Sequence, residues 1–357
     1  VGRFNTNELN SLLGDFPDVH ELFHVAYQNH PTLASATRYL VNELFGKYGL
    51  VILDGDDPAL KRLLVPALKK DLFENLAFKS VNDCSEKLKI QGYKIQVNAR
   101  EINFFYIKDG LRERIEKSGD RYVVTNTDLA FSKSDIENEI DQHPENFSPN
   151  VIIRPLYQET ILPNIAYVGV PGEIAYWLQL KSFFEAQQVP FPILMPRNFV
   201  LLINHVEKQK LAKWKLDTAD LFEDDFNLKI RYLKKNVPSF GNAIEEEKGV
   251  LQIFNDLKAK AAEIDKTLVA HVEAQEKAAL KILRKVDVKF RKALERKEKE
   301  GIESLLQLKE KLFPGGGLQE RRDNFLNFYL NNPDLVETLL HELKPFDFRF
   351  NILQSGN

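Results

Sequence analysis

Hydrophobic positions change their period several times along the chain, and each change marks a different kind of element. From Thr32 to Phe45, apolar residues fall at Leu33, Ala36, Tyr39, Leu40 and Leu44 and the run stops at Gly46, which predicts an amphipathic helix. With a helix before it, residues 8 to 48 read as a helical pair. Leu50 to Asp54 opens as an all-apolar run, the pattern of a strand buried on both faces. Asp56 or Asp57 can cap a helix running from Pro58 to about Phe73. Lys94–Val97, Asn103–Ile107 and Arg121–Val124 alternate or cluster as strands of a small antiparallel insertion.

Alternation of strand and helix returns after Val151. A strand at Ile165–Val168, a helix over 172 to 188 and a strand over Ile193–Ile203 predict an α/β, Rossmann-like parallel-sheet core. From Asn242 the period becomes heptad-like: Val250, Phe254, Leu257, Ala261, Ile264 and Leu268, then Ala279, Leu283, Val286 and Phe290 after a phase shift. That pattern predicts an antiparallel coiled coil, its turn at the phase shift or at Gly301. Pro314–Gly317 ends the coil and leads into a last helix, Leu318 to Leu330. The expected organisation is a helical segment with the first Rossmann-like strand and helix (1–87), a β-containing insertion (88–149), the core (150–241), the coiled coil (242–313), and a C-terminal helix with a tail returning to the core (314–357).

Composition narrows the class without naming a function. The chain has 357 residues, enough for two or three domains, with 43% hydrophobic and 28% charged residues. A formal charge of −3 gives no reason to expect nucleic-acid binding, and the basic run Lys281–Lys297 is interleaved with acids as a solvated coil face would be. One cysteine, Cys84, excludes an internal disulfide and suits the cytoplasm. No apolar run is long enough to span a bilayer, so no membrane partner is expected. The chain opens at Val1-Gly2 rather than at methionine, which suggests a fragment or a processed form.

The richest candidate chemistry lies between Val151 and Leu180. Gly169, Pro171 and Gly172 end a strand and Glu173 opens a helix, so backbone N–H groups there could receive a carboxylate or phosphate; a ligand-free β–α turn explains the same residues. Arg154 and Arg197 each stand beside a proline, where a guanidinium can clasp an oxyanion or pair with an internal acid. Tyr176, Trp177 and Trp214 read as core. Asp54 and Asp56 resemble the strand-then-DxD of haloacid-dehalogenase phosphatases, although Asp57 and the lack of companion motifs favour a helix cap. The segment His20-Glu21-Leu22-Phe23-His24 matches the zinc pattern HExxH, which leaves a zinc hydrolase through His20 and His24 as a weaker alternative, but with Glu43 as the only tempting third ligand no metal is expected. Pro314–Gly317 could cradle phosphate through Gly315, Gly316 and Gly317, with Gln319, Arg321 and Asn324 as side-chain donors, or could be a flexible joint.

Four ordered blocks carry a resemblance. They are Leu50–Pro58; Arg154-Pro155-Leu156 through Leu162-Pro163 to Ala166–Tyr176; Met195-Pro196-Arg197-Asn198; and Leu312–Arg321. Together the chain resembles the bacillithiol biosynthesis cysteine-adding enzymes over essentially its whole length. The resemblance implies a ligase-type addition of L-cysteine to glucosaminyl-malate, the final step of bacillithiol synthesis. It also implies that a nucleotide-fold segment precedes the matched region in the family, so that this chain is the C-terminal two thirds and alone could be an inactive dimerisation or scaffold piece. The family's similarity to class I aminoacyl-tRNA synthetases makes adenylate-type activation plausible. An adenine nucleotide, ADP or ATP, is expected at Gly315–Asn324 or at Pro196, Arg197 and Asn198. Glu173 is expected to orient the amine or act as base, Arg154 to hold a carboxylate, and Asp54, Asp56, Tyr167, Gly169 and Gly172 to contact substrate. The apolar coil positions predict a homodimer.

Overall fold

The computed structural model describes residues 3–7, 21–108, 110–238, 240, 244–330 and 332–354. The chain divides between Arg197 and Asn198 into two compact units. That division falls inside the span 150–241, and it splits the expected strand Ile193–Ile203 in two.

In the first unit, α1 (Glu21–Asn29) and α2 (Leu33–Phe45) form the predicted helical pair, α2 being capped by Thr32 and Ser35; the part of the pair before residue 21 lies outside the described residues. Leu50–Asp54 is not a strand. Leu50, Val51 and Leu53 are exposed, and no described segment pairs with them; an apolar run becomes a strand only where a ladder partner satisfies its backbone. The next helix starts where expected, capped by the Asp57 carboxylate, but breaks into α3 (Pro58–Arg62) and α4 (Val65–Glu74). Pro66 causes the break, because it has no N–H for the Arg62 carbonyl and its ring crowds that turn. Helix α5 (Leu76–Ile90) follows.

The insertion is a five-stranded antiparallel sheet ordered β4-β3-β2-β1-β5. Its strands are β1 (Phe104–Lys108), β2 (Leu111–Ser118), β3 (Arg121–Val124), β4 (Ala130–Phe131) and, after α6 (Lys133–Gln142), β5 (Phe147–Pro149). One face is buried: Phe104, Tyr106, Ile115, Tyr122, Val124 and Phe147 pack with Leu68 and Leu72 of α4 and Ile136 and Ile140 of α6. The alternation that buries these residues turns Phe105, Arg112 and Arg114 to the other face, with Phe105 directly opposite both Arg114 and Ser148. Lys94–Val97 is not one of the strands. Its backbone is bonded by a side chain instead: Gln179 Oε1 accepts from the Gln96 and Val97 N–H groups and Gln179 Nε2 donates to the Val97 carbonyl.

Helix α7 (Ile153–Ile161) contains Arg154 and Pro155, and β6 (Ala166–Gly169) follows it. The expected helix 172–188 is α8 (Pro171–Trp177) and α9 (Lys181–Gln187), joined by a 3₁₀ turn around the buried Gln179. β7 (Ile193–Pro196) pairs with β6 in parallel, the strand–helix–strand unit read from the sequence.

The second unit begins with β8 (Phe199–Ile203) and α10 (His205–Lys213), then α11 (Asp225–Asn236). Helices α12 (Ile244–Ile264) and α13 (Leu268–Lys297) form the hairpin of the coiled coil. Its turn is Asp265–Thr267, where the Asp265 carboxylate accepts the Thr267 N–H at 2.8 Å. Neither the phase shift nor Gly301 marks that turn. Gly301 lies within α14 (Lys299–Leu312), whose Ile302, Leu305, Leu308 and Leu312 join β8, α10 and α11 in one core. The expected helix Leu318–Leu330 does not form. A 3₁₀ turn and the short α15 (Leu326–Tyr329) stand there, followed by α16 (Leu335–Glu342) and β9 (Phe350–Gln354), which pairs with β8 in parallel. No helix among the described residues is long and apolar enough to cross a membrane.

Candidate functional site

The carboxyl ends of β6 and β7 meet at Gly169 and Pro196, and the Arg197 N–H donates to the Gly169 carbonyl at 2.9 Å. Around this end of the parallel pair the chain brings together Arg154, Tyr167, Glu173 and Tyr176. Gly169 is buried because the Tyr167 ring folds back over it: a Cβ here would lie 2.6 Å from Tyr167 Cε1 and 3.1 Å from Glu173 Oε2. Tyr167 is held by a stacked contact with Trp177, their centroids 4.0 Å apart. Gly169 is therefore required for close approach rather than for turn flexibility.

Pro171 occupies the start of α8 as expected, and Val170 is its N-cap. The expected anion site at this helix start is not what the geometry provides. Glu173 turns its own carboxylate back, accepting the Val170 N–H at 3.1 Å, so a negative group of the protein already serves a donor that an external anion would have used. Gly172 has open space where a side chain would be and packs against nothing.

Arg154 is the cation of this site. Its Nη1 donates to Gln158 Oε1 at 3.0 Å and its Nη2 to the Tyr176 hydroxyl at 3.1 Å. No carboxylate pairs with it among the described residues. Burial works against its charge, but the phenol oxygens of Tyr176 and Tyr167 outweigh that and its pKa is raised above the usual arginine value. Burial, with the nearby Glu173 charge, raises Tyr167 above the usual phenol range, so it stays a hydroxyl. A partly buried cation held by neutral groups can bind an oxyanion, while Glu173, a carboxylate that shares Tyr167 with it as a neighbour, can accept a proton from a nucleophile.

The remaining candidates lie elsewhere or do other work. Asp54 is exposed and its carboxylate accepts the Asp56 N–H at 2.9 Å. Asp56 is ion-paired to Arg3 and to the buried Lys61, 2.5 Å away, and its pKa is lowered by those cations despite burial. The loop they form is tied to α7 by the Tyr157 hydroxyl, which donates to the Gly55 carbonyl at 3.0 Å and is itself pushed up to about 12 by burial and the aspartates. This is a structural ion-pair cluster. Asn198 donates its amide to the Lys344 and Asp347 carbonyls, fastening the C-terminal loop.

The glycine loop is also committed. Gly315 and Gly316 have positive φ, as the turn requires. The N–H groups of Gly315, Gly316 and Gly317 donate to the Glu310 carboxylate, the Phe313 carbonyl and the Pro314 carbonyl, respectively. In this arrangement they do not form a phosphate cradle. Gln319, expected as a ligand donor, is buried and pairs through Oε1 and Nε2 with the N–H and C=O of Leu202 on β8. Asn324 Oδ1 accepts the Leu326 N–H. The guanidinium groups of Arg321 and Arg322 make no hydrogen bond or ion pair among the described residues; Arg322 lies against Gly315 and Gly317. His20 lies outside the described residues, and His24 stands on α1 with no group of three potential metal ligands found among those described.

Sequence reading missed Asp71. Its carboxyl is fully buried, accepts the Asn103 N–H at 2.6 Å and the Asn103 amide at 3.1 Å, and is pushed up to about 7 by burial. Lys69 and Lys70 precede it directly, but its spacing of four and three from Ala67 and Leu68 puts it on the buried face of the helix, a signal that could have found it. It missed Gln158 too, although its spacing four residues after Arg154 is the standard helical contact distance.

Comparison with known proteins follows the same division of the chain. The family model for the N-terminal Rossmann-like domain of bacillithiol biosynthesis BshC matches residues 7–198, and that for its C-terminal coiled-coil domain matches residues 200–355. The chain belongs to the bacillithiol biosynthesis BshC family. Relatives named putative cysteine ligase BshC include those of Cytophaga hutchinsonii, 42% identical over 99% of this chain and 67% of the relative, and of Flavobacterium johnsoniae, 42% identical over 99% and 68%. One from Bacillus velezensis is 28% identical over 87% of this chain and 58% of the relative. The chain thus spans about two thirds of the two nearer relatives' length. BshC relatives bear the name of ligases, and the two matched domains meet where the structure divides.

Proposed function

We propose that this chain carries the acceptor-orienting part of a ligase that adds L-cysteine to glucosaminyl-malate, completing bacillithiol. The observation that carries this reading is Arg154: a partly buried guanidinium, with no carboxylate partner among the described residues, that shares Tyr167 as a neighbour with Glu173 near the carboxyl ends of a parallel strand pair. Ligands of open α/β sheets collect at that position. Amide formation requires the sugar amine to attack the activated cysteine carboxyl carbon, the activating group to leave, and the nitrogen to lose a proton. Glu173 accepts that proton or aligns the amine, while Arg154 holds a carboxylate such as that of the malate portion. Tyr167 and Tyr176 fix Arg154 and exclude water from it. An adenine nucleotide would supply the energy of carboxyl activation; with the glycine N–H groups committed, the side chains of Arg321 and Arg322 and the Asn324 amide nitrogen remain as donors for it at the 314–324 loop. Cysteine, a reduced thiol, and the unpaired Cys84 suit a cytoplasmic setting.

The test is to incubate the intact enzyme with cysteine, glucosaminyl-malate and ATP and to follow the thiol product by mass spectrometry. Parent protein is expected to form it and Glu173→Gln to form it at least about 100-fold more slowly. Full activity of Glu173→Gln sinks the assignment of Glu173.

A second reading concerns assembly. The hairpin leaves Ile253, Ile264, Ile282 and Phe290 exposed even after α12 and α13 have packed on each other. We infer that this surface joins two copies of the chain as a homodimer. Sedimentation is expected to give a dimer; a monomer at high concentration counts against it.

A further inference from the structure

The open face of the antiparallel sheet bears a concavity of about 530 Å³ lined by Arg100, Arg112, Arg114 and Arg154, with no aspartate or glutamate among the lining residues. Strand register explains how two of them arrive there. Arg112 and Arg114 lie two apart on β2 and so share a face, opposite Ile107 and Phe105 on β1. Arg154 comes from the first turn of α7 and Arg100 from the loop before β1.

A chance run of surface arginines is usually neutralised by acids between them. Here neutralisation is largely missing. Arg112, Arg114 and Arg154 have no carboxylate partner among the described residues, and Arg100 has only Glu116, 3.8 Å away. Neutral groups orient the guanidiniums instead. Arg112 lies 3.9 Å from the centre of the Phe105 ring with Nε 3.4 Å from Ser148 Oγ, and Arg154 is held by Gln158 and Tyr176.

The floor is rigid. Asn103 Oδ1 accepts from the Arg100 N–H and from the Asn150 amide, the Asn103 amide donates to Asp71, and Asn150 Oδ1 accepts the Ile152 and Ile153 N–H groups. That network ties the Arg100 loop to the start of α7, so Arg100 and Arg154 are positioned before any ligand arrives. The positive end of α7 adds to the same field.

We propose that this concavity is a binding site for a small molecule with at least two anionic groups, taken up by bidentate guanidinium contacts. Its volume suits a metabolite rather than a macromolecule, and four arginines with Glu116 as their one acidic neighbour leave a surplus of positive charge that a bridging anion would offset. A dicarboxylate and a pyrophosphate present the same chemistry. The site shares Arg154 with the ligase reading and rests on it to that extent, but Arg100, Arg112 and Arg114 lie outside the Gly169 cluster, so loss of binding in variants of Arg112 and Arg114 is read separately from turnover.

The test is calorimetric titration of the protein at low salt with malate in one arm and inorganic pyrophosphate in the other. At least one is expected to bind saturably, and the better binder identifies the source of the anion. The double variant Arg112→Gln/Arg114→Gln, both exposed positions whose folding is checked by thermal melting, is expected to weaken that binding at least tenfold. The Lys versions of both positions, which keep charge but lose the planar fork, are expected to restore it only in part. Saturable binding that survives the glutamine substitutions, or absence of binding by both probes, overturns the proposal.

Discussion

Two glutamines show how a single side chain can replace a strand. Gln179 bonds the backbone of residues 96 and 97, and Gln319 bonds both backbone groups of Leu202. Neither role is legible in sequence, because an amide that completes a ladder has no local pattern; Gln319 read as a ligand donor for that reason. Gln319→Ala leaves the Leu202 N–H and C=O without partners and removes buried contacts, so a loss of about 2–3 kcal/mol is expected in urea unfolding. A change within about 0.5 kcal/mol would contradict the role. Asp71 gives a pH signature. Its carboxyl is protonated in folded and unfolded chains below its ordinary value of 3.8; between that and about 7 the unfolded chain has released the proton and the folded chain retains it. Its contribution to stability is therefore fully present below the lower value and is lost as pH rises through the upper one. Asp71→Asn, which cannot ionise, is expected to gain on the parent by about 1 kcal/mol or more from pH ~4.5 to ~7. A constant difference across that window contradicts the assignment.

Elements were legible where their period and their stops agreed. The α2 helix, the helical hairpin and the β6–α8–β7 unit all follow their apolar spacing. Failures came where a partner outside the window decides. Leu50–Asp54 lacks a pairing strand among the described residues, Pro66 interrupts α3–α4, and β9 is specified by β8 some 150 residues earlier in the chain. Gly301 looked like a turn residue but serves helix packing. A Cβ there would lie 2.0 Å from the Tyr232 hydroxyl and 2.9 Å from its Cζ, which lets α14 press against α11. Gly301→Ala gains helix propensity yet must push Tyr232 aside, so a net destabilisation of about 1–3 kcal/mol is expected. Pairing it with Tyr232→Phe, which removes the nearest atom, should recover part of that loss in a double-mutant cycle. Additive effects would show that the contact does not limit the packing.

For the molecule as a whole, the ordered blocks carried the family and the α/β-plus-coil plan, while the site's chemistry had to be corrected by geometry. The Gly169 turn was legible as a strand end at a helix start. That Glu173 caps its own helix, and that Arg154 is held by Gln158 and Tyr176, depended on side chains converging from α7 and α8. Gly169 carries the packing of this site, so Gly169→Ala is expected to displace Tyr167 from Trp177 and to reduce turnover together with stability. Arg154 is the residue proposed for its recognition. The most direct measurement is steady-state kinetics of the intact enzyme and its Arg154→Gln variant with glucosaminyl-malate as the varied substrate. A rise of at least about tenfold in KM for glucosaminyl-malate, with unaltered thermal stability, is the predicted result. Unchanged KM and kcat would contradict the placement of the substrate carboxylate at Arg154.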